Sequence, residues 1–445
     1  MKKLLFVSTY FPPMASGGNA RQLRFLRYLP EFGWEPTVIT LRAKGPVPDP
    51  EGVRIVRPVT PSPDALYDIA RTASQRWAGR RGRRLLDAAP PPPDDQHPAA
   101  TVEEYDAGSL IADEKRYARR QTFNRWLFIP DPYVGWVPLA VAAGRKLARE
   151  QHYDAIVSSF PRPSGQLAAA RLSRVTGLPW LADYRDPWPT HQFRTYKTRL
   201  HERAHFALER RTLYQAARAT AVNQPIADDL LRRYPYLAGR VTVVPNGFDR
   251  AEDPEPVELG EGFWIVHTGR LYSRGRQAAD LMDALREQDP DVRLLFLGVE
   301  GPRIRAYAEA ADVADRVFTE PFVRHTRALG YQRAADGLLL VSGSAAESLS
   351  SKIFEYLDSG RPTFAMSPDG TMAAALLDEA GGGYRPAPDR PLADGLREFV
   401  ARVRAGEIPP ADRTVVDRYD GRVLTGRFAA VLDEMVATRQ GAGRT

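Results

Sequence analysis

The chain has 445 residues, 43% of them hydrophobic, which is enough to fill the cores of two or three domains. Its net charge of +7 favours anionic ligands or surfaces. The absence of cysteine excludes a disulfide framework, a thiolate metal site and a cysteine nucleophile. No apolar run is long enough to span a membrane. The apolar start, Leu4 to Val7, is followed by polar residues and prolines without a cleavage site. We therefore expect a first buried strand and a cytoplasmic protein.

The first elements form a βαβ unit. A strand at Leu4 to Val7 is followed by a loop with Gly17-Gly18, a helix from about Arg21 to Gly33, and a strand at Thr37 to Thr40. The glycine pair permits close approach of the backbone to a ligand. It lacks the Gly-x-Gly-x-x-Gly spacing of dinucleotide enzymes, which argues against a dehydrogenase.

Residues 60 to 130 read as an insertion in the first domain. Their first helix would carry an apolar stripe beside six arginines with no acidic residue from Arg71 to Arg84; the stripe consists of Leu66, Ile69, Ala73 and Trp77. One interpretation is a structural helix with a solvated basic face. The other is a helix at an anionic membrane surface, which would place the protein peripherally at the inner face of the membrane.

A polar and aromatic group follows a later buried strand. Asp183, Arg185, Asp186 and Trp188 stand at the end of the strand Pro179 to Asp183. Ligands of doubly wound sheets bind beyond the carboxyl ends of the strands, so we predict that these four residues line a ligand site. The alternative for Arg185 is a structural salt bridge to a neighbouring carboxylate.

The most informative stretch runs from Gly343 to Pro362 and joins a buried strand to a helix. Glu347 precedes the helix and Glu355 lies on it, eight positions later. Hydroxyls, a cation and the free N–H groups of a helix start lie between them, and such a combination can hold a phosphate. Each carboxylate can accept two hydrogen bonds from a vicinal diol. Phosphate, ribose and sugar together indicate a nucleotide sugar, against the alternative of a capped helix with an acidic first turn.

These motifs resemble a known family. The Glu-x7-Glu spacing, the motif Ser-Lys-Ile-Phe-Glu-Tyr-Leu-x-Ser-Gly-Arg-Pro at 351–362 and the opening Tyr-Phe-Pro-Pro-x3-Gly-Gly-x2-Arg at 10–21 are similar to retaining GT-B glycosyltransferases of family 4 (glycosyl transferases group 1). The resemblance implies an α/β fold of two Rossmann-like, doubly wound domains facing a central cleft. It places an acceptor domain at 1–250, a linker at 251–258, a donor domain at 259–420, and at 421–438 a helix that packs back on the first domain. We expect disorder after Thr438.

The resemblance also implies roles for individual residues. Glu355 would hold the ribose and Glu347 the donor sugar, while Arg270 would contact the diphosphate. The lysine that the family carries five positions after this arginine is Gly275 here, so another cation must serve: Arg274, Arg276 or Lys352. We count Glu347, Arg270 and Lys352 as catalytic. Further donor contacts are predicted for Gly17, Gly18, Ser348, Leu349, Ser350 and Ser351.

The same resemblance assigns the four residues after the strand at 179–183 to the acceptor side, although Arg185 stands where the family often has histidine. The expected reaction is sugar transfer with retention, from a UDP-sugar before GDP- or dTDP-sugars, in surface-glycan or natural-product glycoside synthesis. The acceptor is either lipid-linked or a soluble small molecule, and no nucleic acid is expected. The histidines show no metal-ligand spacing, so we expect neither metal nor cofactor. A nucleotide-sugar epimerase or hydrolase on the same fold, and a non-catalytic binding subunit, remain alternatives.

Overall fold

The computed structural model describes residues 1–14, 19–45, 47–59, 128–191, 194, 196, 198–269, 276–298, 301–321, 323–342 and 349–442, with the backbone alone at 276 and 440–442. Several predicted features lie outside the described residues. They are Gly17, Gly18, the insertion from residue 60 to residue 127, Arg270, Arg274, the side chain of Arg276, Glu347 and Ser348.

The chain divides into two compact units. The first comprises Met1–Val244 with Thr425–Thr445, and the second Pro245–Leu424. Residues 251–258, expected as a linker, therefore fall within the second unit. They pack on one of its helices, where the Thr326 hydroxyl donates to Glu255 Oε1 at 2.6 Å.

Among its described residues, the first unit is built on a seven-stranded parallel sheet with strand order β3-β2-β1-β4-β5-β6-β7. The strands are β1 Lys2–Ser8, β2 Trp34–Thr40, β3 Arg54–Val56, β4 Ala155–Ser159, β5 Trp180–Tyr184, β6 Arg218–Ala221 and β7 Val241–Val243. Every residue of β4 and β5 is buried. Helices cover both faces of such a sheet, which is why its strands are continuous apolar runs in the sequence.

The helices of the first unit begin and end at the expected kinds of residue. They are α1 Asn19–Tyr28, α2 Val137–Glu150, α3 Pro163–Thr176, α4 Arg199–Leu213 and α5 Gln224–Arg233. The side chains of Thr198 and Asn223 accept backbone N–H groups at the starts of α4 and α5. Gly177 ends α3 in the left-handed conformation, with φ of 74°.

The C-terminal helix runs from Gly421 to Ala442, and all but its first four residues belong to the first unit. Phe428 stacks on Phe25 with ring centroids 4.2 Å apart, and Asp433 accepts hydrogen bonds from Lys2 and Trp34 at 2.6 and 3.0 Å. The expectation of disorder directly after Thr438 is wrong for residues 439–442. The helix continues to Ala442, and the Arg439 guanidinium lies beside Gly177.

The described part of the second unit contains a six-stranded parallel sheet with strand order β10-β9-β8-β11-β12-β13. The strands are β8 Phe263–Thr268, β9 Val292–Leu297, β10 Val317–Glu320, β11 Gly337–Val341, β12 Thr363–Met366 and β13 Gly383–Tyr384. The helices are α6 Arg276–Arg286, α7 Gly301–Ala310, α8 His325–Ala334, α9 Lys352–Ser359, α10 Met372–Ala380, α11 Leu392–Arg404 and α12 Arg413–Val416.

Two apolar clusters enclose this second sheet. Phe263 and Ile265 of β8 belong to one cluster, whereas Trp264 and Val266 belong to the other. Because successive side chains of a strand point to opposite faces, the clusters lie on the two faces of the sheet. Each unit is thus a doubly wound α/β domain. Within the described residues, none of the helices combines the length and the apolar character that crossing a bilayer requires.

Candidate donor site

Helix α9 presents two charged side chains at the carboxyl edge of the second sheet. Four of its eight residues are buried in the core: Ile353, Phe354, Tyr356 and Leu357. Lys352 and Glu355 are three positions apart and therefore share another face. The spacing that fills the core also places a cation and a carboxylate side by side.

The Lys352 side chain extends from the start of α9 to the end of β8. Its Nζ lies 3.2 Å from Nε2 of His267. Lys352 is partly buried, and loss of hydration lowers its pKa from 10.5 to about 7, although the nearby Glu355 carboxylate opposes the shift. The amine is therefore close to its titration midpoint at neutral pH.

Glu355 is oriented by two residues of α8. Nε2 of Gln332 donates to one carboxylate oxygen at 3.3 Å, and Nε2 of His325 lies 3.6 Å from the other. His325 also contacts Glu252 at 2.8 Å. A small surface pocket, open to solvent, adjoins these groups and is lined by Glu252, His325, Gln332 and Glu355. A carboxylate held in this way, with its side chain 11% exposed, can accept hydrogen bonds from a diol.

A buried tyrosine fixes α9 against β8. The Tyr356 hydroxyl accepts the backbone N–H of Thr268 at 2.9 Å and lies 3.2 Å from the Thr268 hydroxyl. Burial raises the pKa of Tyr356 to about 12, so the group is a neutral phenol at physiological pH. The contact joins α9 to β8 at the residue that follows His267.

The residues just before α9 have mixed surroundings. Ser350 and Ser351 are half-buried, and Oγ of Ser350 lies 3.4 Å from the backbone nitrogen of Lys352. Leu349 packs against the apolar cluster of the second unit. All three residues lie close to Lys352 in the sequence. The donor contacts predicted for both serines and Leu349 stay predictions.

Asp183 of the first unit is a structural residue. Its carboxylate is fully buried and accepts from Nε and Nη2 of Arg21 at 3.1 and 2.8 Å, and from the Ser159 and Thr220 hydroxyls at 2.8 Å. Burial works against ionisation, yet Arg21 and the two hydroxyls outweigh it and keep the pKa of Asp183 below its usual value. The predicted contact between Asp183 and an acceptor is therefore corrected: both oxygens already have two donors, and the group anchors α1 to β5.

The other predicted acceptor residues separate into two kinds. Trp188 is fully buried and donates its indole N–H to Nδ1 of His205 at 3.1 Å, so its predicted ligand contact is corrected to a core role. Arg185 and Asp186 are half-buried and form an ion pair at 3.2 Å. Among the described residues, Nη1 of Arg185 is buried and has no hydrogen-bond partner. That unused donor is available to a ligand oxygen, so the predicted role of Arg185 and Asp186 stays open.

A further polar group, at the carboxyl edge of the first sheet, was not predicted from the sequence. Nε of Arg162, after β4, donates to the Tyr10 hydroxyl, after β1, at 2.8 Å. The guanidinium lies 5.0 Å from the Tyr10 ring centre and 5.6 Å from that of Tyr133. The family-like motif begins at Tyr10, and this is the one sequence signal that pointed to the group.

Acidic and histidine side chains do not converge on a metal site in the described part of the chain. The site residues of the second unit that fall among the described residues supply a cation, a carboxylate and hydroxyl groups. Such groups bind a phosphate and a diol directly.

Comparisons with known proteins agree with this architecture. Residues 96–252 match the family model Glycosyltransferase Family 4. No curated protein sequence matches the chain. Among solved structures, sucrose-phosphate synthase from Thermosynechococcus elongatus is similar with a TM-score of 0.65 at 16% identity, over 98% of this chain and 100% of that one.

Two other solved structures share the fold. Anabaena Alr3699/HepE in complex with UDP and glucose has a TM-score of 0.61 at 15% identity, over 98% of this chain and 100% of that one. The lipopolysaccharide outer core galactosyltransferase WaaB has a TM-score of 0.55 at 13% identity, over 97% and 99%. The predicted fold class, GT-B, is thereby confirmed.

Proposed function

We propose that this chain transfers a sugar from a nucleotide sugar to a hydroxyl-bearing acceptor. The chain has the GT-B fold, and its residues 96–252 match the family model Glycosyltransferase Family 4. One observation carries the proposal. Lys352 and Glu355 share a face of α9 at the carboxyl edge of the second sheet, where doubly wound folds bind nucleotides. Their i, i+3 spacing matches a ligand that presents phosphate oxygens and a diol next to each other.

The donor we propose is a UDP-sugar. Glu355 accepts hydrogen bonds from the ribose hydroxyls, Lys352 contacts the diphosphate, and Glu347 holds the sugar. Anabaena HepE, whose structures contain UDP and glucose, supports uridine as the base to test first. GDP- and dTDP-sugars are the next donors to test, because we assign none of the described side chains to recognition of the base.

The chemical step requires stabilisation of the charge that grows on the leaving diphosphate. Lys352 can supply it, and we assign the same task to Arg270 with Arg274 or Arg276. We propose that these cations act without a metal ion and that the sugar is transferred with retention. The leaving phosphate would then take the proton of the acceptor hydroxyl on the same face of the sugar. On the first unit, Arg185 and Asp186 are the residues we assign to the acceptor.

A thermal-shift panel of UDP-, GDP- and dTDP-sugars tests the donor half, because a ligand that binds the folded state raises apparent stability by mass action. We expect at least one UDP-sugar to stabilise the full chain, and Glu355→Ala to remove that effect. Glu309→Ala, on α7, is a matched control that should leave it intact. No stabilisation by any nucleotide sugar would contradict the proposal.

Product analysis tests the reaction. With donor and a panel of lipid-linked and soluble acceptors, we expect a glycoside and free nucleotide. With donor alone, rapid formation of an epimer or of free sugar would instead indicate an epimerase or a hydrolase.

A further inference from the structure

The contact between Lys352 and His267 has a fixed proton arrangement. Nδ1 of His267 lies 2.9 Å from the carbonyl oxygen of Leu339 on β11. A carbonyl only accepts, so Nδ1 carries the proton and Nε2 of the neutral ring has a lone pair. Nε2 is the atom 3.2 Å from Lys352 Nζ. The amine therefore donates to the imidazole, and the ring orients it whether or not the amine is charged.

The backbone just after β8 packs against the Lys352 side chain. Gly269 follows β8 with φ of 74°, and a Cβ at this position would lie 2.9 Å from Cε of Lys352. Only glycine combines this left-handed backbone with room for the side chain. Titratable groups beside the amine in the described residues are His267 on β8 and Glu355 on α9, while the Tyr356 phenol is neutral.

An anionic ligand would shift the Lys352 amine from its neutral form toward its charged form. Burial disfavours the ammonium form, whereas a diphosphate within contact distance would favour it strongly. The sequence has Gly275 where the family has its loop lysine, and Lys352 is one of the cations, with Arg274 and Arg276, that can serve the phosphate instead.

We propose that Lys352 takes up a proton from the buffer when a nucleoside diphosphate binds, and that His267 is the positioning residue that holds its amine toward the phosphate. This inference rests on the proposed function and specifies how its phosphate site works. The neutral amine takes up the proton, becomes an ammonium ion and donates to a phosphate oxygen. Donor affinity therefore falls as the pH rises above about 7, the pKa of Lys352 in the unliganded protein.

Calorimetry of UDP binding to the full chain between pH 7.5 and 9 tests the proposal. The second ionisation of a phosphate, with a pKa of about 6, is complete in this range and does not interfere. In buffers of different ionisation enthalpy, we expect proton uptake that approaches one per UDP. The dissociation constant should rise by up to about tenfold per pH unit. UDP binding without proton uptake or pH dependence would overturn the inference and leave the proposed function intact.

Variants separate the two residues. Lys352→Met should weaken UDP binding at pH 7.5 and abolish proton uptake, whereas Lys352→Arg should bind UDP with no uptake, because arginine keeps its charge. His267→Phe should move the pH profile to lower pH, and His267→Gln, whose amide oxygen can accept from Lys352, should restore it in part. A purely structural role for His267 would change stability and leave the profile in place. If no nucleotide binds the wild-type chain, the proposed function fails together with this inference.

Discussion

Replacing Lys352 with methionine should stabilise the unliganded protein most at acidic pH. The pKa of Lys352 is about 7 in the folded state against 10.5 ordinarily. Between these values the unfolded chain binds more protons than the folded chain, so the free energy of unfolding rises with pH. Below pH 7 both states are charged, and the folded state carries the whole cost of ionising a partly buried amine. Methionine is unbranched and apolar, and it removes this cost.

The size of the effect follows from the pKa difference. A difference of about 3.5 units at about 1.4 kcal/mol per unit gives an upper limit of about 5 kcal/mol. Because Lys352 is only partly buried, solvent screening reduces this, and we expect about 2–4 kcal/mol at pH 6. By pH 10 the gain should fall below about 1 kcal/mol, since the lysine is then neutral in the folded state.

The assay must isolate the second unit, because two compact units need not unfold together. Urea unfolding with pulsed hydrogen exchange, read on peptides from β8 and α9, gives that resolution. Lys146→Met on α2 is the matched control: this lysine side chain is 80% exposed and lies in the first unit, so no change is expected. A Lys352→Met variant that is less stable than wild type at pH 6, or equally shifted at pH 6 and 10, would refute the reasoning.

Four further predictions concern other parts of the molecule. Glu355→Ala should weaken the binding of UDP itself by about 1–3 kcal/mol, whereas Glu347→Ala should spare UDP and reduce turnover; equal losses in calorimetry would overturn the assignment. Sugar transfer should survive excess EDTA, and an activity restored only by magnesium or manganese would contradict the phosphate site proposed here. Asp183→Asn leaves Arg21 buried opposite a neutral amide and should cost about 3–5 kcal/mol in urea unfolding; a loss below about 1 kcal/mol would show that the ion pair is unimportant. If residues 60–130 dock on membranes, the chain should sediment with anionic vesicles at low salt, and its failure to do so would exclude the membrane interpretation.

Much of the fold could be predicted because buried parallel strands leave continuous apolar runs. Leu4 to Val7 and the strand before Glu347 are examples, and both lie within strands of the structure. Short elements escaped prediction. Strand β13 has two residues, Gly383 and Tyr384, and helix α10 and strand β3 were not anticipated. A two-residue strand has no periodicity to detect, since only its pairing with β12 defines it.

The site was predictable where its residues share one helix and not where it depends on tertiary contact. The spacing of Lys352 and Glu355 on α9 follows from the sequence alone. The contact with His267 joins positions 85 apart, and no local pattern could indicate it. Trp188 shows the opposite case. Its place near charged residues at the end of a strand indicated a ligand site, but its indole N–H donates to His205 and the ring is buried.

A lysine-resolved NMR titration tests the central claim, that a nucleotide sugar binds at the start of α9. The chain has seven lysines, and Lys352 is the only one between residues 245 and 424. In protein labelled with ¹³C-lysine, its side-chain signal is therefore a specific reporter of this site, assigned with Lys352→Met. We predict that UDP shifts the Lys352 signal and raises its pKa while the exposed lysines stay unchanged. A Lys352 signal that does not move at UDP, GDP or dTDP concentrations that saturate binding would contradict the account.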